Sequence, residues 1–146
     1  MRKGFSLMTA IIIMMTVSLL MTMMVSLSNI TTKTTTDMYL KEQAELLARS
    51  ATEYALLAVS GHDNHHSCIE DIHILYPSAT KPTHRMDVEI WYMGSGLTNC
   101  NHILDNNLTT ADSNLTGIVD VVVTVDQNNT GITEPIRIHR RTIQKF

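Results

Sequence analysis

Charge is the first thing this sequence has little of. No Asp, Glu, Lys or Arg stands between Phe5 and Thr32, and the next charged residue is Lys33. Gly and Pro are missing from Phe5 through Ser60, so nothing in that stretch breaks a helix. There is no basic surplus. Residues 61–146 carry six Lys and Arg against ten Asp and Glu. That argues against a general nucleic-acid binder, which needs a net basic face. No GxSxG, no HExxH and no Gly-rich phosphate loop occurs, so an enzyme is not expected and no cofactor is implied. Aromatics make up 5% of the chain, and seven of the ten methionines fall between Met8 and Met38. At 146 residues the chain has room for one small domain.

What fills the uncharged stretch is apolar. The 28 residues from Phe5 to Thr32 make roughly 42 Å of helix against a hydrocarbon core of about 30 Å. Such a helix crosses a bilayer with its backbone groups paired. Arg2 and Lys3 flank its start, so the positive-inside rule keeps the N-terminus cytoplasmic and exports the rest. A secretory signal is a competing reading, but its apolar core usually runs about 7–15 residues ahead of a small-x-small site. This stretch is longer, and no such site follows. Residues 61–146 are then an exported domain. There Cys68 and Cys100 suggest one disulfide, closing a loop of 33 residues. Two free buried thiols are the other reading.

The junction Lys3-Gly4-Phe5-Ser6 resembles the prepilin peptidase site of the type IV pilin and type II secretion pseudopilin family. There a short basic leader ends in Gly, and the following Phe becomes a methylated N-terminus. The resemblance covers residues 1 to about 60. It rests on the combination of minimal leader, Gly-Phe and a long apolar helix that continues as an amphipathic one. It implies cleavage after Gly4 by a prepilin peptidase and N-methylation at Phe5. It also implies other pilin or pseudopilin subunits as partners, with inner-membrane lipid around the helix before assembly.

Thr9 departs from the family pattern. The family usually has a glutamate as the fifth mature residue, pairing with the N-terminal amine of a neighbouring subunit. A hydroxyl accepts a hydrogen bond but neutralises no cation, and an unpaired charge in lipid is expensive. Some minor subunits lack this glutamate, including a tip subunit with no neighbour above it. The departure therefore points to a minor or tip-associated subunit. The alternative is that another subunit, or the methylated amine itself, compensates.

Past the membrane stretch, TTKTTT at 31–36 is β-branched and polar, which makes it the weakest helical segment. Then Leu40, Ala44, Leu47, Ala51, Tyr54 and Ala58 follow alternating spacings of 4 and 3, one apolar stripe. Gly61 reads as the stop. The stripe is expected to be the inner face of the exported domain. RMDVEIWYM at 85–93 alternates, with Met86, Val88, Ile90 and Tyr92 on one side. GIVDVVVTVD at 117–126 and PIRIHRRTI at 135–143 read as further strands, the latter with Pro135 in first position. IEDIHIL at 69–75 is a possible first strand, and DQNNTGITE a loop. The expected fold is α+β and pilin-like: a long N-terminal helix packed on three or four antiparallel strands. Its parts are a leader at 1–4, a membrane helix at 5–32, an amphipathic continuation at 33–60 and a sheet domain at 61–146.

Some segments bear on chemistry. GHDNHHSC holds His62, His65 and His66 beside Cys68. These are metal-ligand types, but no second pair stands at a zinc spacing, so a polar loop is the expected reading and no metal is assigned. Four N-x-S/T acceptor sequons occur, at Asn29, Asn107, Asn114 and Asn128. Asn29 lies at the membrane end. The other three have Asp105, Asp112 and Asp126 two residues upstream, which resembles the extended acceptor of bacterial oligosaccharyltransferases. Turn-forming Asp, Asn and Thr also generate such strings, and the same loops offer oxygens to calcium without an EF-hand spacing. The last strand carries Arg137, His139, Arg140, Arg141 and Lys145. Cations on a solvated edge strand are an ordinary guard against aggregation.

Two function classes lead from this reading. One is a minor pilin or pseudopilin of a type IV pilus or type II secretion filament. The other is a single-pass, membrane-anchored extracytoplasmic binding protein that joins no filament. The Gly4-Phe5 junction separates them, because a plain anchor has no reason to be cut there.

Overall fold

A computed structural model describes residues 3–64, 66–108, 115–132 and 134–146, with the side chains of 3–6 and 127 outside the description. The element order is α1 (Lys3–Ser60), β1 (Asp71–Tyr76), β2 (His84–Gly94), β3 (Ile103–Asp105), β4 (Leu115–Val125), α2 (Gln127–Thr130) and β5 (Arg137–Lys145). The chain divides into two units, Met1–Met38 and Tyr39–Phe146. The fold class is α+β, a long N-terminal helix packed on a small, mainly antiparallel sheet.

Helix α1 runs through TTKTTT without interruption. Its threonines are held by their own backbone. The hydroxyls of Thr31, Thr32, Thr34, Thr35 and Thr36 each donate to the carbonyl four residues earlier, at 2.8–3.0 Å. That bond removes the polar cost of a threonine on a helix while leaving the helical ladder intact. The C-terminus is closed by local donors. Gly61 N–H reaches Leu57 O at 3.1 Å, and the Asn64 amide reaches Val59 O at 3.1 Å, satisfying carbonyls that the last turn leaves open.

In the second unit the helix buries Leu40, Ala44, Ala48, Ala51, Thr52, Ala55 and Val59. The stripe starts where expected, at Leu40 and Ala44, and then drifts. Tyr54 is exposed and Ala58 only partly covered, while Ala48, Ala55 and Val59 face inward. Alternating spacings of 4 and 3 average 3.5 residues per turn. An α-helix has 3.6, so a strict 4-3 pattern walks off the buried face within two heptads. Four of the seven inward residues are alanines.

The sheet order is β1-β2-β4-β5, all antiparallel, with β3 pairing parallel to β2 off that path. The four-strand path agrees with the expected antiparallel sheet, and β3 adds a fifth strand paired parallel to β2. β3 is three residues long, too short to show a period. β5 begins at Arg137, so Pro135 precedes the strand instead of opening it. The loop before it contains the single turn α2.

The alternation of β2 is realised. Met86, Val88, Ile90 and Tyr92 are buried and sit opposite Val123, Val121, Val119 and Gly117 of β4. Each fully buried Val or Ile contributes about 1.5–3 kcal/mol by leaving water. Gly117 is needed at its place. A Cβ there would lie 2.9 Å from the Trp91 carbonyl oxygen and 2.5 Å from the Phe146 ring. Tyr92 is buried and its hydroxyl donates to Ile69 O at 2.6 Å. Burial, reinforced by the nearby Glu70 carboxylate, pushes its phenol up to about 12.

Candidate assembly surface

Two surfaces stand out among the described residues, one on each unit. The first is the apolar half of α1. From Leu7 to Met38 the described side chains are exposed apart from a half-covered Asp37, and they include Ile11, Ile12, Ile13, Met14, Met15, Leu19, Leu20, Met23 and Met24. The helix is long and apolar enough to cross a membrane. A soluble monomer does not leave such an area open to water. Hydroxyls on this surface are again partnered internally, Thr16 with Ile13 O and Thr22 with Leu19 O, both at 2.9 Å. Ser18 and Thr22 sit one turn apart in a shallow trough flanked by Met14, Met15 and Leu19. Small residues at that spacing let another helix approach closely. Thr9 lies on this exposed helix.

The residues of the Gly4-Phe5 junction stand at its beginning. Gly4 and Phe5 fall in the first turn of α1 after Lys3, with their side chains outside the described residues, as Arg2 is altogether.

The second surface is the outer face of the sheet. Cross-strand register lines up His73, Asp87, Val122 and His139 in one row, and Asp71, Glu89, Asp120 and Arg141 in the next. His73 Nδ1 lies 2.7 Å from Asp87 Oδ1. Asp120 anchors the other side. Its carboxylate accepts from Arg141 Nη2 at 2.6 Å and Nε at 3.1 Å, and it pairs with His139 Nε2. A carboxylate that is largely covered needs such partners. The result is an open groove of about 630 Å³ lined by Asp87, Glu89 and Asp120 together with His73, His139 and Arg137. Sequence reasoning missed it, although a signal existed. Asp120 is a lone acid in a β-branched run, and His139 and Arg141 are two apart, on one face of a strand.

Cys68 and Cys100 are joined, with Cα atoms 5.2 Å apart, and their loop holds β1 and β2. Beside the bridge, Glu70 accepts from Asn101 N–H, from the Asn101 amide at 3.0 Å and from His102 N–H at 3.2 Å. These donors, the Asn101 backbone first, hold its carboxyl below the ordinary value. Trp91 stacks on His102 with ring centroids 4.5 Å apart.

The remaining sequence candidates are dispersed. His62 Nε2 pairs with Ser67 Oγ at 2.9 Å and His66 Nε2 lies 3.6 Å from Asp63, while His65 is outside the described residues. Among the described residues no group of three His, Cys, Asp or Glu is placed to hold a metal ion. Asn107 and Asn128 are exposed, Asn29 lies within α1, and Asn114 is outside the described residues.

Comparison with protein-family models, with curated proteins and with solved structures finds no match to this chain. Its long apolar N-terminal helix and small sheet are compatible with a pilin-like architecture.

Proposed function

We propose that this chain is a structural subunit, a minor pilin or pseudopilin of a type IV pilus or type II secretion filament. The observation that carries the reading is the division of labour along α1. From Leu40 onward the helix is the spine of a folded domain, while residues 7–36 bury nothing and residues 7–30 expose mostly apolar side chains. Such a surface needs lipid before assembly and other helices after it, and burying it is favourable and non-directional. The Gly4-Phe5 junction supports processing by a prepilin peptidase and methylation of the new amine. Arg2 and Lys3 support an N-terminus on the cytoplasmic side of the inner membrane, with the sheet domain outside. Thr9, in place of an acid, supports a minor or tip position. The role is mechanical, not catalytic.

The test is the intact mass and N-terminal peptide of the protein from its native membranes. A chain beginning at Phe5 with one added methyl group is expected. A chain beginning at Met1 overturns the filament reading and leaves a membrane-anchored binding domain.

A further inference from the structure

The asparagines of the exported domain fall into two groups. Asn64, Asn99, Asn101, Asn106 and Asn129 use their side-chain amides structurally. Asn64 caps the end of α1, Asn99 donates to His66 O at 3.2 Å, and Asn101 donates to Glu70. Asn106 engages Leu97 from both ends, accepting from its N–H at 3.0 Å and donating to its carbonyl at 3.2 Å. Asn129 donates to Pro82 O at 2.8 Å. None of these five is followed by Ser or Thr at the second position.

Asn107 and Asn128 are different. Both are exposed, and each is held by its backbone N–H, which donates to the Asp two residues before it, Asp105 or Asp126, at 2.9 Å. Their side-chain amides enter no hydrogen bond among the described residues. Both are followed by Thr at the second position, Thr109 and Thr130. The Asp-to-N–H turn explains the acid, but it asks nothing of the side chain that supplies the N–H. Any residue there would close the same turn. That both positions hold an asparagine with an outward amide, next to an asparagine that is used internally, is left over once the turn is accounted for. Asn114 repeats the string Asp-x-Asn-x-Thr in sequence.

We propose that Asn107 and Asn128 are acceptor sites for an N-linked glycan on the exported domain. The donor class is an oligosaccharide carried on a polyprenyl pyrophosphate. The amide nitrogen Nδ2 forms a bond to the anomeric carbon of the first sugar. The bond from that carbon to the pyrophosphate oxygen breaks, the lipid pyrophosphate leaves with the electron pair, and one amide proton passes to a base of the transferase. Asn107 lies in extended chain, bridged to Ser95. Asn128 sits in α2, where the Thr130 hydroxyl donates to Asp126 O at 2.5 Å, so its threonine is free for a transferase only before that turn closes.

The experiment is glycopeptide mass spectrometry of the full chain purified from its native host. Peptides containing Asn107 and peptides containing Asn128 are expected to carry a sugar-sized mass. Asn107→Gln and Asn128→Gln each remove one increment. Thr109→Ala removes the increment at Asn107 although the asparagine is intact. Unmodified peptides at both positions, or sugar on hydroxyls alone, overturn the proposal. The outcome is independent of the filament reading, since glycan on a chain beginning at Met1 keeps this proposal and removes that one.

Discussion

The imidazole Nε2 of His84 lies 3.4 Å from the carbonyl oxygen of Leu40, with both residues buried where β2 meets α1. Because a carbonyl only accepts, Nε2 carries the hydrogen and donates. Nδ1 lies 2.9 Å from the Thr83 hydroxyl, which also reaches the Tyr76 carbonyl at 3.3 Å. Burial pulls the His84 pKa below the ordinary 6.5, with the bond to Leu40 opposing.

The sign of the pH effect follows. The unfolded chain takes up the His84 proton near pH 6.5, and the folded one at lower pH. Stability from this group is complete above pH 6.5 and is lost as pH falls from there to the folded pKa, by at most about 1.4 kcal/mol per pH unit. Urea unfolding at pH 7.5 and 5.5 is expected to show a lower midpoint at the acid end. His84→Gln should flatten the difference. An equal pH dependence in the variant would assign the effect to other groups.

Removing the bridge between Cys68 and Cys100 is expected to cost the domain about 3–4 kcal/mol, from the entropy of a loop of this length. Cys68→Ser with Cys100→Ser, followed by chemical unfolding in detergent, measures it. Loss well below about 1 kcal/mol would mean that the contacts of Glu70 with Asn101 and His102 hold the two segments unaided.

Gly117→Ala is expected to destabilise by about 1–3 kcal/mol, because the Trp91 carbonyl that meets the new Cβ belongs to a paired strand and cannot turn aside. Gly61→Ala is the control. There the nearest atom is 3.4 Å away, and the change should be within about 0.5 kcal/mol. Equal melting points for the two variants would show that β2 and β4 yield at this position.

Much of this fold is legible before any coordinates. Val88, Ile90 and Tyr92 announce β2 because a strand buried on one face must alternate, and Ser60-Gly61 announces the end of α1. The apolar stretch is legible for a different reason, since the exposure of its described residues from Leu7 follows from composition and needs no tertiary partner. What stays hidden needs partners distant in sequence. Asp120 reveals its role only when β5 brings His139 and Arg141 alongside it. β3 exists only because β2 offers it a ladder. Tyr54 was misplaced because a 4-3 stripe and a 3.6-residue helix part company after two heptads. The two sequons look alike in sequence, and the fate of their amides appears only beside Asn106 and Asn129.

The threonine hydroxyls of α1 have a consequence for motion. Thr16, Thr22, Thr31 and Thr32 are bonded to carbonyls of their own helix, so these hydroxyls neither gain nor lose a partner when the surroundings change. In the filament proposed above, acyl chains and neighbouring helices would meet the same surface at these positions, and passage from one to the other would break no hydrogen bond there.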